Sequence, residues 1–404
     1  MADVSRNTKH SLSRRQLLAG TAATAAFTII KPRLVRGTEA NSKIALGIVG
    51  CGGRGAWIAN LFAAHGGYRI VSCGDYFPDR VQKLGDKHKI DAARRHTGLS
   101  NYKKVLADKI DAVAVMSPPY FHPAQAAAAV AAGKHVYVAK PVAVDAPGCQ
   151  TITDAGKQAT GKKLVFLVDF QTRANALYRE AVKRVHNGDI GRFVSGTSEY
   201  FCGQIFGTKL PDDVEGRIRH WQMDKVLSGD IITEQNIHTL DVCSWIADAP
   251  PVSAVGMGGR KIRKGDDVIY DHFNLVFEYP RDVAVSFASR QFGSGPSGIN
   301  NMMFGTRGTI ETHYGGAVKI YGKAPYPGGS TGKIYRDGAV TNIATFCDCV
   351  RAGKADNPTV APSVTSNLTT ILGRSAAYSG KKTTWDEMLK ANEKLTARLQ
   401  GAKD

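Results

Sequence analysis

Gly50, Gly52 and Gly55, in the stretch IVGCGGRGAW, stand in the G-x-G-x-x-G register directly after an apolar run. Where a strand turns into a helix, the first such glycine makes the tight turn and the second leaves room for a pyrophosphate. The third lets helix and strand pack closely. The loop, with Cys51, Gly53 and Arg54, is therefore the expected dinucleotide contact. Asp75 follows at about the 20-residue spacing of that fingerprint, where a carboxylate receives the adenosine ribose hydroxyl and repels a 2′-phosphate. That favours NAD over NADP; Asp75 could otherwise cap the helix that follows.

A second group lies in TEQNIHTLD. If this stretch is helical, Glu234, His238 and Asp241 occupy neighbouring turns of one face, an arrangement that can couple an acid, a base and an orienting group. Asp241 reads as the structural member. Outside such a motif, His238 would read as a satisfied core residue. Tyr200, His220, Trp221 and Gln222 offer a stacking platform and hydrogen bonds for a sugar ring, whose C–H face packs on aromatics, or else they belong to the core.

The elements that must position these residues change character along the chain. From residue 43, short β-branched runs alternate with helical stretches: KIALGIVG, YRIVSCGD, DAVAVMSPP, HVYVAKP and KLVFLVDF are strands separated by helices. That alternation predicts a doubly wound parallel sheet with helices on both faces. After Gly191, RFVSGTSEYF, PVSAVGMGG, HFNLVFEYP, VAVSFASRQF, NMMFGTRGTIETHY and AVKIYG follow one another without long helices, which predicts a large, mostly antiparallel sheet open on one face. Helices are expected over about 342–352 and 366–379, and an amphipathic one from Trp385.

Composition sets the outer bounds. The 404 residues are 43% hydrophobic and 22% charged, ordinary globular material for two domains. The net charge of +18 includes seven Lys/Arg against two Asp/Glu in the first 40 residues, and the remaining +13 is scattered. Scattered charge argues against nucleic-acid binding. Ser13-Arg14-Arg15-Gln16-Leu17-Leu18, running into LLAGTAATAAFTII, resembles a twin-arginine export signal. The apolar run is too short for a stable membrane span, and the signal is expected to end at Ala40. The seven cysteines show neither C-x-x-C nor metal-ligand spacing, and no metal is expected.

The ordered set GIVGCGGRG, CGDYFPDR, SPPYFH, GKHVYVAKPVA, NGDIGRF, SGDIITEQNIHTLDVCSWI and FGTRGTIE resembles the Gfo/Idh/MocA family of nicotinamide-dependent oxidoreductases over essentially all of the chain after the signal. The resemblance implies a Rossmann domain at 41–170, a substrate and oligomerisation α+β domain at 171–380, and a helical tail at 381–404, behind a signal at 1–40. Lys140-Pro141 matches the family's Glu-Lys-Pro motif, with a cis bond expected and the lysine beside the nicotinamide. Ala139 replaces the usual glutamate. A partly desolvated ammonium there would have a lowered pKa and could carry the proton lost as hydride leaves carbon. By the same resemblance His238 is the general base, with Glu234 in place of the family's aspartate. Ser117, Pro118 and His122 lie in the loop under the nicotinamide, and Gln171 and Arg173 face the substrate.

The implied activity is oxidation of a secondary hydroxyl of a sugar, glycoside or cyclitol, by a homodimer or homotetramer holding NAD tightly after twin-arginine export. Two alternatives stand beside it. One is a redox-neutral glycoside hydrolase or lyase, with Tyr200 or His220 as an extra base; the other is a binding protein that keeps the fold without the chemistry.

Overall fold

The computed structural model describes residues 43–404, so the expected export signal lies outside the described residues. Its first half runs β1 (Ile44–Val49), α1 (Gly53–His65), β2 (Tyr68–Asp75), α2 (Pro78–Lys87), β3 (Arg95–Thr97), α3 (Asn101–Ala107), β4 (Ala112–Val115), α4 (His122–Ala131), β5 (His135–Ala139), α5 (Ala146–Gly161) and β6 (Phe166–Asp169). The sheet is parallel in the order β3-β2-β1-β4-β5-β6. Every residue of β1 and β4 is buried, as strands covered on both faces must be. Because β1 pairs with β2 on one side and β4 on the other, the strand order reverses at β1, and a crevice opens beyond the ends of β1 and β4. The parallel sheet is the one expected. The short edge strand β3 and helix α3 carry too little apolar periodicity to have been read.

The second half contains α6 (Gln171–Ala174), α7 (Ala176–His186), β7 (Phe193–Cys202), α8 (Val214–Arg219), α9 (Lys225–Ser228), α10 (Ile231–Glu234), α11 (Ile237–Ala247) and β8 (Ser253–Gly259). It continues through β9 (His272–Tyr279), β10 (Val283–Gln291), β11 (Gly298–Gly305), β12 (Gly308–His313), β13 (Ala317–Gly322) and β14 (Tyr326–Ser330). Then follow α12 (Ile334–Ala352), α13 (Val360–Ser379), β15 (Thr383–Thr384) and α14 (Trp385–Ala391). The nine strands are ordered β14-β13-β12-β11-β7-β10-β9-β8-β15, antiparallel except for the β7/β10 pair. Alternate residues of β9 and β10 are buried, with Phe273, Leu275, Phe277, Val285 and Phe287 facing the core. The opposite face exposes Val255, Met257, Val276 and Met302.

Two helices begin earlier than the sequence suggests, α12 at Ile334 and α13 at Val360. The extra turns of α12 bury Ile334 and Ala339 against distant elements, a cause invisible to a local window. Farther along α12, Phe346 packs on Tyr68 and Tyr137, so the first core is completed by residues from far downstream. The expected helical tail is also shorter: α14 ends at Ala391, Asn392 adopts positive φ, and 393–404 lack regular helix. None of the described helices is long and apolar enough to cross a membrane.

Candidate functional site

The crevice at the end of β1 is built by glycine geometry. Gly50 sits at φ +90°, and a Cβ there would lie 2.5 Å from the Ser117 nitrogen; one at Gly55 would lie 1.7 Å from the Gly50 oxygen. The turn and the closeness of α1 to β1 therefore both depend on missing side chains. Gly52 caps α1 and Gly53 opens it, with nothing within 4 Å of a Cβ at Gly53. That helix start, whose first amides have no intrahelical partner, follows directly on Gly50, which lines a cleft together with Asp75, Arg80, Asn101, Ser117 and Pro118.

Asp75 is buried, and its two oxygens accept from Cys51 N at 2.7 Å and Phe77 N at 3.0 Å. Burial raises its pKa, against the pull of these amides and of Arg80 at 3.9 Å. The role of Cys51 is thus its main chain, since its thiol is buried on the Gly74 carbonyl. Asn101 Oδ1 is buried without a partner in the same cleft. A helix start open to anions, a carboxylate pinned beside it and an unused acceptor fit NAD.

Ser117 also lines a second cavity of about 290 Å³, so the two spaces adjoin at that residue. Into it β5 delivers Lys140, whose bond to Pro141 is cis as expected. Lys140 Nζ donates to the main-chain oxygen of Glu234 and lies 3.6 Å from Glu234 Oε1. Burial lowers the Lys140 pKa, and Glu234 opposes that shift. Glu234 is itself braced: Gln235 Nε2 donates to Glu234 Oε2 at 2.8 Å, and the Tyr200 hydroxyl donates to Gln235 Oε1 at 2.5 Å. His238, in the first turn of α11, is buried, and its Nδ1 has no partner. Burial first, then Lys140 and Arg54, hold its pKa well below the ordinary value, so the ring is neutral at pH 7. Its neighbour Tyr314, 5.1 Å away between ring centres, has a buried hydroxyl without a partner.

His122 joins two loops under this cavity, with Nδ1 2.8 Å from the Pro141 oxygen and Nε2 2.7 Å from the Ser117 oxygen. Burial pushes its pKa down to about 4, and a neutral ring can donate to only one of these carbonyls at a time. Gln171, Trp221 and Gln222 line the cavity as expected.

Several expectations are corrected. The helix breaks between α10 and α11, so Glu234 turns to Lys140 rather than forming one face with His238 and Asp241. Arg173, expected to face the substrate, instead donates from Nε to Asp241 at 2.8 Å and stacks on Trp245, outside the cavity lining, while Asp241, read as structural, also accepts from Ser366 Oγ at 2.6 Å. His220 is exposed at the end of α8 and does not line the cavity either. Arg54, expected at the dinucleotide, reaches the second cavity, paired with buried Asp169 and resting against the rings of Trp57 and Tyr335, which stack on each other. Gln235, Tyr314, Asp169 and Tyr335 were missed. Only Gln235 had a signal, its place inside the histidine motif.

Residues 44–168 match the GFO/IDH/MocA oxidoreductase family, NAD-binding Rossmann fold, and residues 178–311 match the GFO/IDH/MocA C-terminal domain, together more than half of the chain. The chain belongs to the GFO/IDH/MocA family. Among GFO/IDH/MocA relatives, an inositol 2-dehydrogenase of Burkholderia lata is 28% identical over 252 residues, covering 61% of this chain and 68% of the relative. Inositol 2-dehydrogenase 2 of Saccharopolyspora erythraea is 26% identical over 272 residues, 66% of this chain and 73% of its own. A levoglucosan dehydrogenase in complex with NADH and levoglucosan shares the fold at a TM-score of 0.69 and 18% identity, covering 85% of this chain and 99% of its own. The aldose-aldose oxidoreductase of Caulobacter crescentus, complexed with glycerol, aligns with the same four values. The chain is thus an NAD-binding oxidoreductase acting on a CH–OH group.

Proposed function

We propose that this protein is an exported oxidoreductase that retains NAD and oxidises a secondary hydroxyl of a sugar, glycoside or cyclitol, regenerating the cofactor in place. The carrying observation is the meeting of Lys140 and Glu234 in a cavity that adjoins the dinucleotide cleft at Ser117 and also contains neutral His238. The substrate class follows the named substrates of its relatives and the character of the cavity. Trp221 and Tyr314 offer aromatic surface, while Tyr314 and His238 bring unused polar atoms suited to a polyol.

Bound NAD supplies the hydride acceptor and, once reduced, the hydride donor. The chain handles the proton. As the hydroxyl becomes a carbonyl, its proton passes to the Lys140 amine or to His238, and the resulting cation returns it when a second carbonyl substrate is reduced. Burial lowers the Lys140 pKa, so its ammonium gives up the proton more readily than that of an exposed lysine.

Export is proposed from the N-terminal resemblance, and it requires that NAD be loaded before translocation and kept, because the periplasm offers no useful pool. The exposed sheet face is proposed to pair with a second copy in a dimer or tetramer. The redox-neutral alternative loses support because His220 lies outside the cavity lining and the Tyr200 hydroxyl is committed to Gln235, with burial raising its pKa.

The test is the near-ultraviolet absorbance of purified protein, without added cofactor, during titration with sugars, polyols and glycosides. A stoichiometric rise, reversed by a carbonyl acceptor, is expected. Released aglycone without that rise would replace this reading with the redox-neutral one, and silence in both channels would leave a binding protein.

A further inference from the structure

Residues 393–404 run over residues that border the dinucleotide cleft. Leu395 N donates to Asp145 Oδ2 at 2.8 Å, Ala397 N to the Tyr120 hydroxyl at 3.3 Å, and Lys403 N to the Tyr76 hydroxyl at 3.1 Å. In return Leu99 N donates to the Lys403 oxygen at 3.0 Å and Ser100 N to Asp404 Oδ1 at 2.8 Å. Leu395, Ala397 and Leu399 are half-buried while Thr396, Arg398 and Gln400 are exposed, the two-residue alternation of an extended strip. Ala397, Leu399 and Ala402 pack on a small apolar cluster centred on Phe77, Ile218 and Leu227.

The same cluster contains Tyr76, Leu99, Phe121 and Ile218, and these four also line the cleft that holds Asp75. A second tie closes the same side: Lys403 Nζ meets Glu215 Oε1 of α8 at 2.9 Å, and Arg219 of α8 meets Asp79 of α2 at 3.1 Å while its guanidinium covers Phe77. The terminal segment therefore joins the loop after β2, the loop before α3, and α8. It packs on the cluster that supplies Tyr76, Leu99, Phe121 and Ile218 to the lining of the cleft that holds Asp75. Its side-chain hydrogen bonds are exposed or only part-buried and it has little regular structure, so it belongs to the class of segments that open locally before the fold does.

We propose that residues 393–404 are a retaining strap, the outer wall of the adenosine half of the NAD site, and that the nucleotide departs only when this strap peels away. The inference rests on the NAD reading of the cleft and adds a mechanism for retention that the proposed in-place regeneration requires. A cofactor held by the glycine loop and Asp75 alone would exchange at a rate set by those contacts. With the strap, release waits on loss of contacts from three segments at once.

The experiment loads the full-length protein with NADH and follows fluorescence after mixing with excess NAD+, for wild type, Leu399→Asp and a chain ending at Asn392. Release is expected to accelerate at least tenfold in both variants. A release rate equal to wild type in a folded variant would overturn the strap. Should both variants misfold, wild-type holoprotein nicked by trypsin at Arg398 or Lys403 serves instead, with the same acceleration expected and unchanged release again overturning the proposal. The quantity compared is a ratio of rates, so the test decides even if wild type itself exchanges NADH quickly. That outcome would count against tight retention alone.

Discussion

Lys140 and Glu234 meet from separate halves of the chain, with Nζ 3.6 Å from Oε1 and donating to the Glu234 main-chain oxygen. The relationship supplies a carboxylate to the lysine in a chain whose residue 139 is alanine. The sign of its effect is clear: burial lowers the lysine pKa, and Glu234 raises it against that pressure. Replacing Glu234 by Gln removes the opposing charge and leaves the shape. The Lys140 pKa then falls further, and the acid limb of the oxidation rate moves to lower pH. The rate of hydroxyl oxidation against pH for Glu234→Gln checks this; a limb unmoved from wild type would mean that Lys140 is not the titrating group.

Lys140→Ala and His238→Ala are each expected to lower turnover by about 10²-fold or more, the usual scale for a positioned proton-transfer group. Neither residue lines the cleft containing Asp75, so both variants should retain nucleotide. Turnover together with nucleotide content after purification separates the two roles. Near-normal turnover in both would remove these residues from the chemistry.

Asp75→Ala leaves the Cys51 and Phe77 amides without their present acceptor. Losing the ribose partner and the fixed loop together should weaken NADH binding by about tenfold or more and narrow the preference over NADPH. Paired titrations with NADH and NADPH measure both effects. An unchanged ratio of affinities would reduce Asp75 to a loop brace.

The reach of the sequence follows the range of the interactions. Gly50, Gly55 and Asp75 were legible because their geometry is imposed within one strand–turn–helix unit. The fate of Arg173 was not, because its partner Asp241 lies on another helix and a polar residue beyond a strand does not name the carboxylate it will meet. Glu234 and His238 were identified as a pair, but their separation depends on the kink at Gln235, which interrupts an otherwise helical pattern. Tyr314 is one tyrosine among many in strand-rich sequence until the fold sets it against His238. In the tail, LTARL suits either an amphipathic helix or an extended strip, and contacts with Tyr76, Leu99 and Tyr120 decide it.

Asp230 gives a stability test just upstream of the site. It holds φ +75° and ψ 166°, a region suited to glycine, while its buried carboxylate accepts from Ile231 N, Tyr270 N and the Tyr378 hydroxyl. Glycine at this position loses the hydrogen bonds but relieves the backbone, whereas alanine loses the bonds and keeps the strain. Both variants should be destabilised, with Asp230→Ala worse than Asp230→Gly by about 1–3 kcal/mol. Denaturant unfolding of the two provides the comparison. Equal stability would show that the backbone strain relaxes on substitution.

The open face of the second sheet supplies the last prediction. Val255 of β8 pairs with Val276 of β9, and both are exposed, as is Met257, which is 68% exposed. Met302 on β11 is exposed on the same face, with Ser286 of β10 and Thr197 of β7 between it and Val276. Removing such side chains from water is worth about 25 cal/mol per Å² of apolar area, and a sheet face can present that area to its own copy around a twofold axis. A charge at the centre of such an interface would meet its symmetry mate in low dielectric, so Val276→Glu is expected to yield monomers while the fold survives, because the side chain points away from the core. Sedimentation velocity of wild type and variant decides it. A wild type that sediments as a monomer at micromolar concentration, or a Val276→Glu variant that remains a dimer, would assign the apolar face to another role.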